Sequence, residues 1–154
     1  MTSHIQTRLT SSISRLSGAA AMAAMLMVGG AAVAASDVHI KVYQDPNCGC
    51  CGAWVEYMKD EGFSVESVKT PNVTSFKQQF GVPPKLASCH TAVVQETGQV
   101  IEGHVPARAV RKMLTDPSVK GVSAPGMPLN SPGMGEMDGN LVTVDFQGRA
   151  FSRD

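Results

Sequence analysis

Val38-His39-Ile40-Lys41-Val42-Tyr43, a short Gln44–Asn47 link, Cys48-Gly49-Cys50-Cys51 and then Trp54-Val55-Glu56-Tyr57-Met58-Lys59-Asp60 form the stretch from which the architecture can be read. Val38, Ile40 and Val42 alternate with His39, Lys41 and Tyr43, the period-two pattern of a strand with one buried face. From Cys51 to Glu61 the apolar Trp54, Val55, Tyr57 and Met58 gather on one side, and Glu56, Lys59 and Asp60 take the other. That is the pattern of an amphipathic helix, and Gly62 is placed to stop it. The cysteines therefore lie where a strand hands over to a helix.

Outward from this unit the same reasoning continues. Phe63, Val65 and Val68 suggest a second strand. Thr70-Pro71 reads as a helix start, with Val73, Phe76 and Phe80 at helical spacing and Gly81 at the close. Thr91–Gln95 and Gln99–Val105 flank the turn Glu96-Thr97-Gly98, as in a β-hairpin. Pro106 opens a third helix through Val110, Met113 and Leu114, ended at Asp116-Pro117. The order is β-α-β-α-β-β-α, an α/β fold of thioredoxin-like type. Residues 121–139 read as an added loop rich in Gly, Pro and Met, and Leu141–Phe146 as a C-terminal strand.

The chain as a whole has 154 residues, 43% hydrophobic and 17% charged, in keeping with one compact domain. Its 13 basic and 13 acidic residues balance, and no Lys/Arg cluster marks a nucleic-acid surface, so nucleic acid is not an expected partner. Arg8 and Arg15 precede an apolar run from Gly18 to Ala35 that ends in small residues, with no acid before Asp37. This is the pattern of a signal peptide over 1–35, cleaved after Ala34 or Ala35, which leaves a domain over 36–154, a periplasmic location and no stable membrane insertion. A retained anchor is the alternative, but a run built mainly of Ala and Gly makes a weak span.

Export governs how the cysteines are read, because close thiols outside the cytosol are normally oxidised. Cys48, Cys50 and Cys51 cannot all pair among themselves, and Cys89 is the only other thiol. Either two disulfides form, or a metal protects the thiols. At a helix start, unpaired N–H groups and the dipole favour thiolates, and soft thiolates and thioethers select Cu(I). Thiolates packed together repel one another unless cations lie between them, so more than one copper ion can be held.

Asp45-Pro46-Asn47-Cys48-Gly49-Cys50-Cys51, Cys89-His90-Thr91, Gly103-His104-Val105-Pro106, Pro125-Gly126-Met127-Pro128 and Ser131-Pro132-Gly133-Met134 together resemble the CopG-type copper-resistance proteins. The resemblance covers essentially the whole chain after the signal segment and departs from the family pattern at Asn130 and Gly135. It implies a periplasmic thioredoxin-like domain that binds copper through its cysteine cluster and is often encoded near other copper-handling proteins, which are candidate partners.

The candidate ligands are Cys48, Cys50, Cys51 and Cys89, with His90, His104, Met127 and Met134 in support. Each has a plainer reading, and for the Cys48, Cys50 and Cys51 cluster it is a stabilising disulfide, common in exported domains. Cys89 could be an inert core thiol, and His90 could face away from it along a strand. His104 could serve only as a turn residue bonded to backbone, and the methionines could be an adaptable apolar lid. Two rival functions remain beside copper binding: a thiol-disulfide oxidoreductase using Cys48 and Cys51, and a structural zinc domain. The third cysteine of the cluster argues against the first, as does the position of Pro83 and Pro84, well ahead of Cys89. No catalytic residue is assigned, although a redox role toward copper is compatible with the cluster.

Overall fold

The computed structural model describes residues 38–154; the expected signal segment, 1–35, lies outside them. The elements follow as β1 (His39–Gln44), α1 (Gly49–Asp60), β2 (Ser64–Lys69), α2 (Val73–Gln79), β3 (Thr91–Val94), β4 (Val100–Glu102), α3 (Ala107–Leu114), β5 (Gly121–Ser123), β6 (Val142–Asp145) and β7 (Ala150–Arg153). They build a single sheet ordered β2-β1-β3-β4-β5-β6-β7. β1 runs parallel to β2 and antiparallel to β3, and β3 is antiparallel to β4. The β-α-β-α-β-β-α order expected from the sequence is therefore present, on a thioredoxin-like sheet. Among the described residues no helix is long and apolar enough to cross a membrane.

Alternation in β1 has the consequence its pattern predicts. Ile40 and Val42 are buried in a core with Trp54, Val55 and Met58 of α1, Val110 and Met113 of α3, and Ala92, Val94, Ile101 and Val122 of the sheet. Tyr43 points the other way and stacks on Phe76 of α2, ring centroids 4.0 Å apart. β3 and β4, buried along their whole length, are covered on both faces. Trp54 is the largest fully buried side chain, and its Nε1–H donates to the Val105 carbonyl at 2.9 Å. That bond ties the helix carrying the cysteines to the turn carrying His104.

Two details differ from the sequence expectation. The second helix begins at Val73 rather than at Thr70-Pro71, because the Thr70 hydroxyl closes a turn by accepting the Asn72 N–H at 3.1 Å. The segment after α3 holds three strands rather than a loop and one strand. β5 joins β4 in parallel, and β6 and β7 extend the sheet as an antiparallel pair. Three residues, Gly121-Val122-Ser123, are too few to show a periodicity; pairing with β4 makes them a strand.

Candidate metal centre

Cys48 occupies the N-cap position of α1, so the first turn of the helix carries Cys50 and Cys51 beside it. Of the two arrangements left open by the sequence, the structure adopts neither in full. Cys48 and Cys51 form a disulfide, while Cys50 and Cys89 are free thiols. Cys50 Sγ lies 3.5 Å from Cys48 Sγ. Cys89, which precedes β3, comes to the same place from across the fold. One donor atom from each of Cys48, Cys50, Cys51 and Cys89 lies within 4.8 Å of the others. Cys89 is thus beside the cluster and not in the apolar core; burial, with Cys50 adding to it, pushes its thiol up to about 11.

Both histidines converge on this point. A second set, one donor atom each from Cys51, Cys89, His90 and His104, also lies within 4.8 Å. His90 does not face away from Cys89, since its Nδ1 is 3.7 Å from Cys89 Sγ. It is fully buried against Trp54 and His104, with ring centroids 4.5 and 5.1 Å away. Burial, then His104 and Lys77, hold its imidazole well below the ordinary histidine range. Its Nε2 has no hydrogen-bond partner among the described residues, an uncommon state for a buried polar atom.

His104 makes the backbone bond of its plainer reading and still turns its other ring nitrogen toward the cysteines. Its Nδ1 is 2.7 Å from the Pro132 carbonyl, and since a carbonyl can only accept, Nδ1 carries the proton. Nε2 is left with its lone pair 3.0 Å from Cys89 Sγ. A backbone acceptor behind one ring nitrogen that frees the other for a ligand is how metal-binding histidines are usually oriented. Burial also lowers the His104 pKa, so the neutral form is favoured.

Pro132 belongs to the Gly/Pro/Met segment, which is strapped onto the helix start. At Gly133, with φ +79°, a Cβ would fall 2.7 Å from Trp54 N and 3.1 Å from Cys50 O, so glycine allows the strap to touch the backbone of α1. Sequence reasoning gave the methionines here a role and quoted Pro132 and Gly133 only as part of a motif. Met127 is 58% exposed and shares an open depression with Ala87, Ser88, Gly126 and Cys89. Met134 is half-buried, next to the Gly133 contact.

The four cysteines and two histidines suit a soft or borderline metal ion, since thiolates select Cu(I) and imidazole accepts copper in either oxidation state. A thioredoxin-like α/β domain with a convergent Cys/His donor cluster compatible with metal binding is the class that this fold and site define. Two solved structures, titled copper resistance protein CopG form 1 and form 2, superpose with TM-scores of 0.66 at 34% sequence identity. They cover 76% of this chain, and the match spans 97% and 98% of theirs. A family model described as a protein of unknown function, DUF411, matches residues 86–134, the segment from ahead of Cys89 through the strap. No curated protein matches. The chain belongs to the CopG copper-resistance family.

Proposed function

We propose that this chain is an exported periplasmic protein that binds Cu(I) in copper resistance or homeostasis. Cys48, Cys50, Cys51 and Cys89 supply thiolates, His90 and His104 supply imidazoles, and Met127 and Met134 supply thioethers at the rim. The observation that carries this reading is the overlap of the two donor sets, which share Cys51 and Cys89. A thiolate can bridge two ions, so the overlap supports more than one copper per chain. The kinship with proteins titled copper resistance protein supports copper as the cargo, and soft sulfur donors support Cu(I) over Zn(II).

Loading requires reduction. The Cys48–Cys51 disulfide must accept two electrons and two protons from an external dithiol before its sulfurs can ligate, and the thiols then give up protons to the solvent as copper binds. Other periplasmic copper-handling proteins are the expected donors or recipients. Competition of the reduced chain between Cu(I) and Zn(II) tests the metal assignment, and preference for Zn(II) would favour a structural zinc domain. Export is tested by intact mass: a product beginning between Ala35 and Asp37 supports it, and a full-length species confined to membranes counts against it.

The disulfide supports a second reading, thiol-disulfide exchange through Cys48 and Cys51, with Cys50 3.5 Å from Cys48. Catalysis of insulin reduction at a rate abolished by Cys48→Ser, without copper uptake, would favour it.

A further inference from the structure

One carboxylate brackets the Cys89-His90 pair. Glu102, at the end of β4, is fully buried. Its Oε1 accepts the Ser88 backbone N–H at 2.6 Å, and its Oε2 accepts the Thr91 hydroxyl at 2.7 Å. The residue before Cys89 and the residue after His90 therefore hang on the same side chain. Lys77 reaches in from α2, its Nζ donating to Glu102 Oε1 at 2.6 Å and to Thr91 Oγ1 at 3.1 Å. From the next position of the chain the Gly103 N–H donates to the His90 carbonyl at 2.9 Å.

A buried ion pair is a poor device for stability alone, because desolvation offsets the attraction and an apolar pair of similar volume often packs as well. An apolar pair cannot, however, fix a backbone N–H and a hydroxyl on either side of two donor residues. The geometry points to Glu102, with Lys77, as a positioning pair that holds Cys89 and His90 in their donor arrangement before the metal arrives. This rests on the copper-binding reading for its purpose, but not for its geometry. Preorganised donors pay less ordering cost on binding and release the ion more slowly.

The test compares the reduced full chain with Lys77→Met/Glu102→Leu, Thr91→Val and Thr91→Ser. Without metal, hydrogen exchange at the Ser88 amide reads the clamp directly and is expected to speed up in the double variant while cooperative unfolding persists. With Cu(I) loaded, release to a chelator is expected to be about 10–100-fold faster in the double variant, the range typical of lost outer-shell support. Thr91→Val should shift release in the same direction by less, and Thr91→Ser, which keeps the hydroxyl, should restore it. X-ray absorption should show fewer nitrogen and sulfur neighbours at copper in the double variant, which a purely structural role would not change. The Thr91 variants decide the matter if the double variant fails to fold. Unchanged copper release in Thr91→Val, or a Ser88 amide as protected in the folded double variant as in the wild type, would overturn the proposal. A wild-type chain that takes up no Cu(I) would overturn the copper reading instead, leaving the Ser88 exchange to judge the clamp.

Discussion

Replacing Gly133 by Ala tests whether the strap sets the metal site through its backbone. Two costs follow from the geometry. At φ +79° any residue with a Cβ gives up about 1–2 kcal/mol. The new methyl would also stand 2.7 Å from Trp54 N and 3.1 Å from Ala53 C and Cys50 O. These are backbone atoms that no rotamer change can move, so overpacking adds about 1–3 kcal/mol. Gly139 is the control, since it lies in the same segment at φ +76° with nothing within 4 Å of its would-be Cβ. Only the first cost applies there. At about 4 °C per kcal/mol for a domain of this size, Gly133→Ala should lower the Tm of the reduced, metal-free chain clearly more than Gly139→Ala. If the strap lifts to escape the clash, His104 loses the Pro132 carbonyl and Cu(I) should pass to a chelator about 10–100-fold faster, while Gly139→Ala releases it as the wild type does. Thermal unfolding and chelator competition on the same samples read both effects. Equal Tm losses and equal release rates for the two variants would refute the seating of the strap on α1.

Three further outcomes are expected. Cys89→Ser should cost less than about 1 kcal/mol of metal-free stability, because the hydroxyl can donate to His104 Nε2 in place of the thiol; it should lower copper stoichiometry or affinity, and a destabilised variant with full copper content would contradict the ligand role. Replacing Met127 and Met134 by Leu should keep the fold, since the volumes are similar, and should weaken or expose the copper; unchanged affinity and release would assign both to packing. For pH, His90 has its folded-state pKa well below the usual value, so the folded chain keeps it neutral where the unfolded chain takes up a proton. Its contribution is intact above about pH 6.5 and is lost as pH falls, by about 1.4 kcal/mol per unit until the folded-state pKa is reached. Denaturant titrations near neutral pH and one unit below pH 6.5 should show this loss in the wild type and a smaller one in His90→Gln, where His104, also lowered by burial, still contributes. A wild type no less stable in acid would contradict the burial of a neutral imidazole.

The fold was legible wherever a whole element faces one core. The alternation of Val38–Tyr43 and the apolar side of Trp54–Met58 are direct consequences of one-sided burial, and the Glu96-Thr97-Gly98 turn fixes the hairpin that follows. β5 and β7 were not legible, because short strands owe their existence to a partner strand and not to their own pattern. At the site, Cys48, Cys50 and Cys51 declare themselves by spacing, whereas His90 and His104 acquire meaning only when β3 and the Gly103-His104-Val105 turn meet. Pro132 acts through a carbonyl, which every residue possesses, and Gly133 through the absence of a side chain. Glu102 and Lys77, 25 residues apart, show no local sign of pairing. None of these four could be singled out by residue chemistry along the chain.

The central claim, a soft-donor copper centre assembled from the α1 cysteines and Cys89, is tested most directly by an anaerobic Cu(I) titration of the reduced chain against a competing Cu(I) chelator, with metal analysis and a thiol count. At least one Cu(I) should be held against the chelator, with Cu(I) preferred to Zn(II) and the thiols of all four cysteines protected when copper is bound. Copper uptake no better than that of a chain carrying Cys48→Ser, Cys50→Ser and Cys51→Ser together would contradict the account.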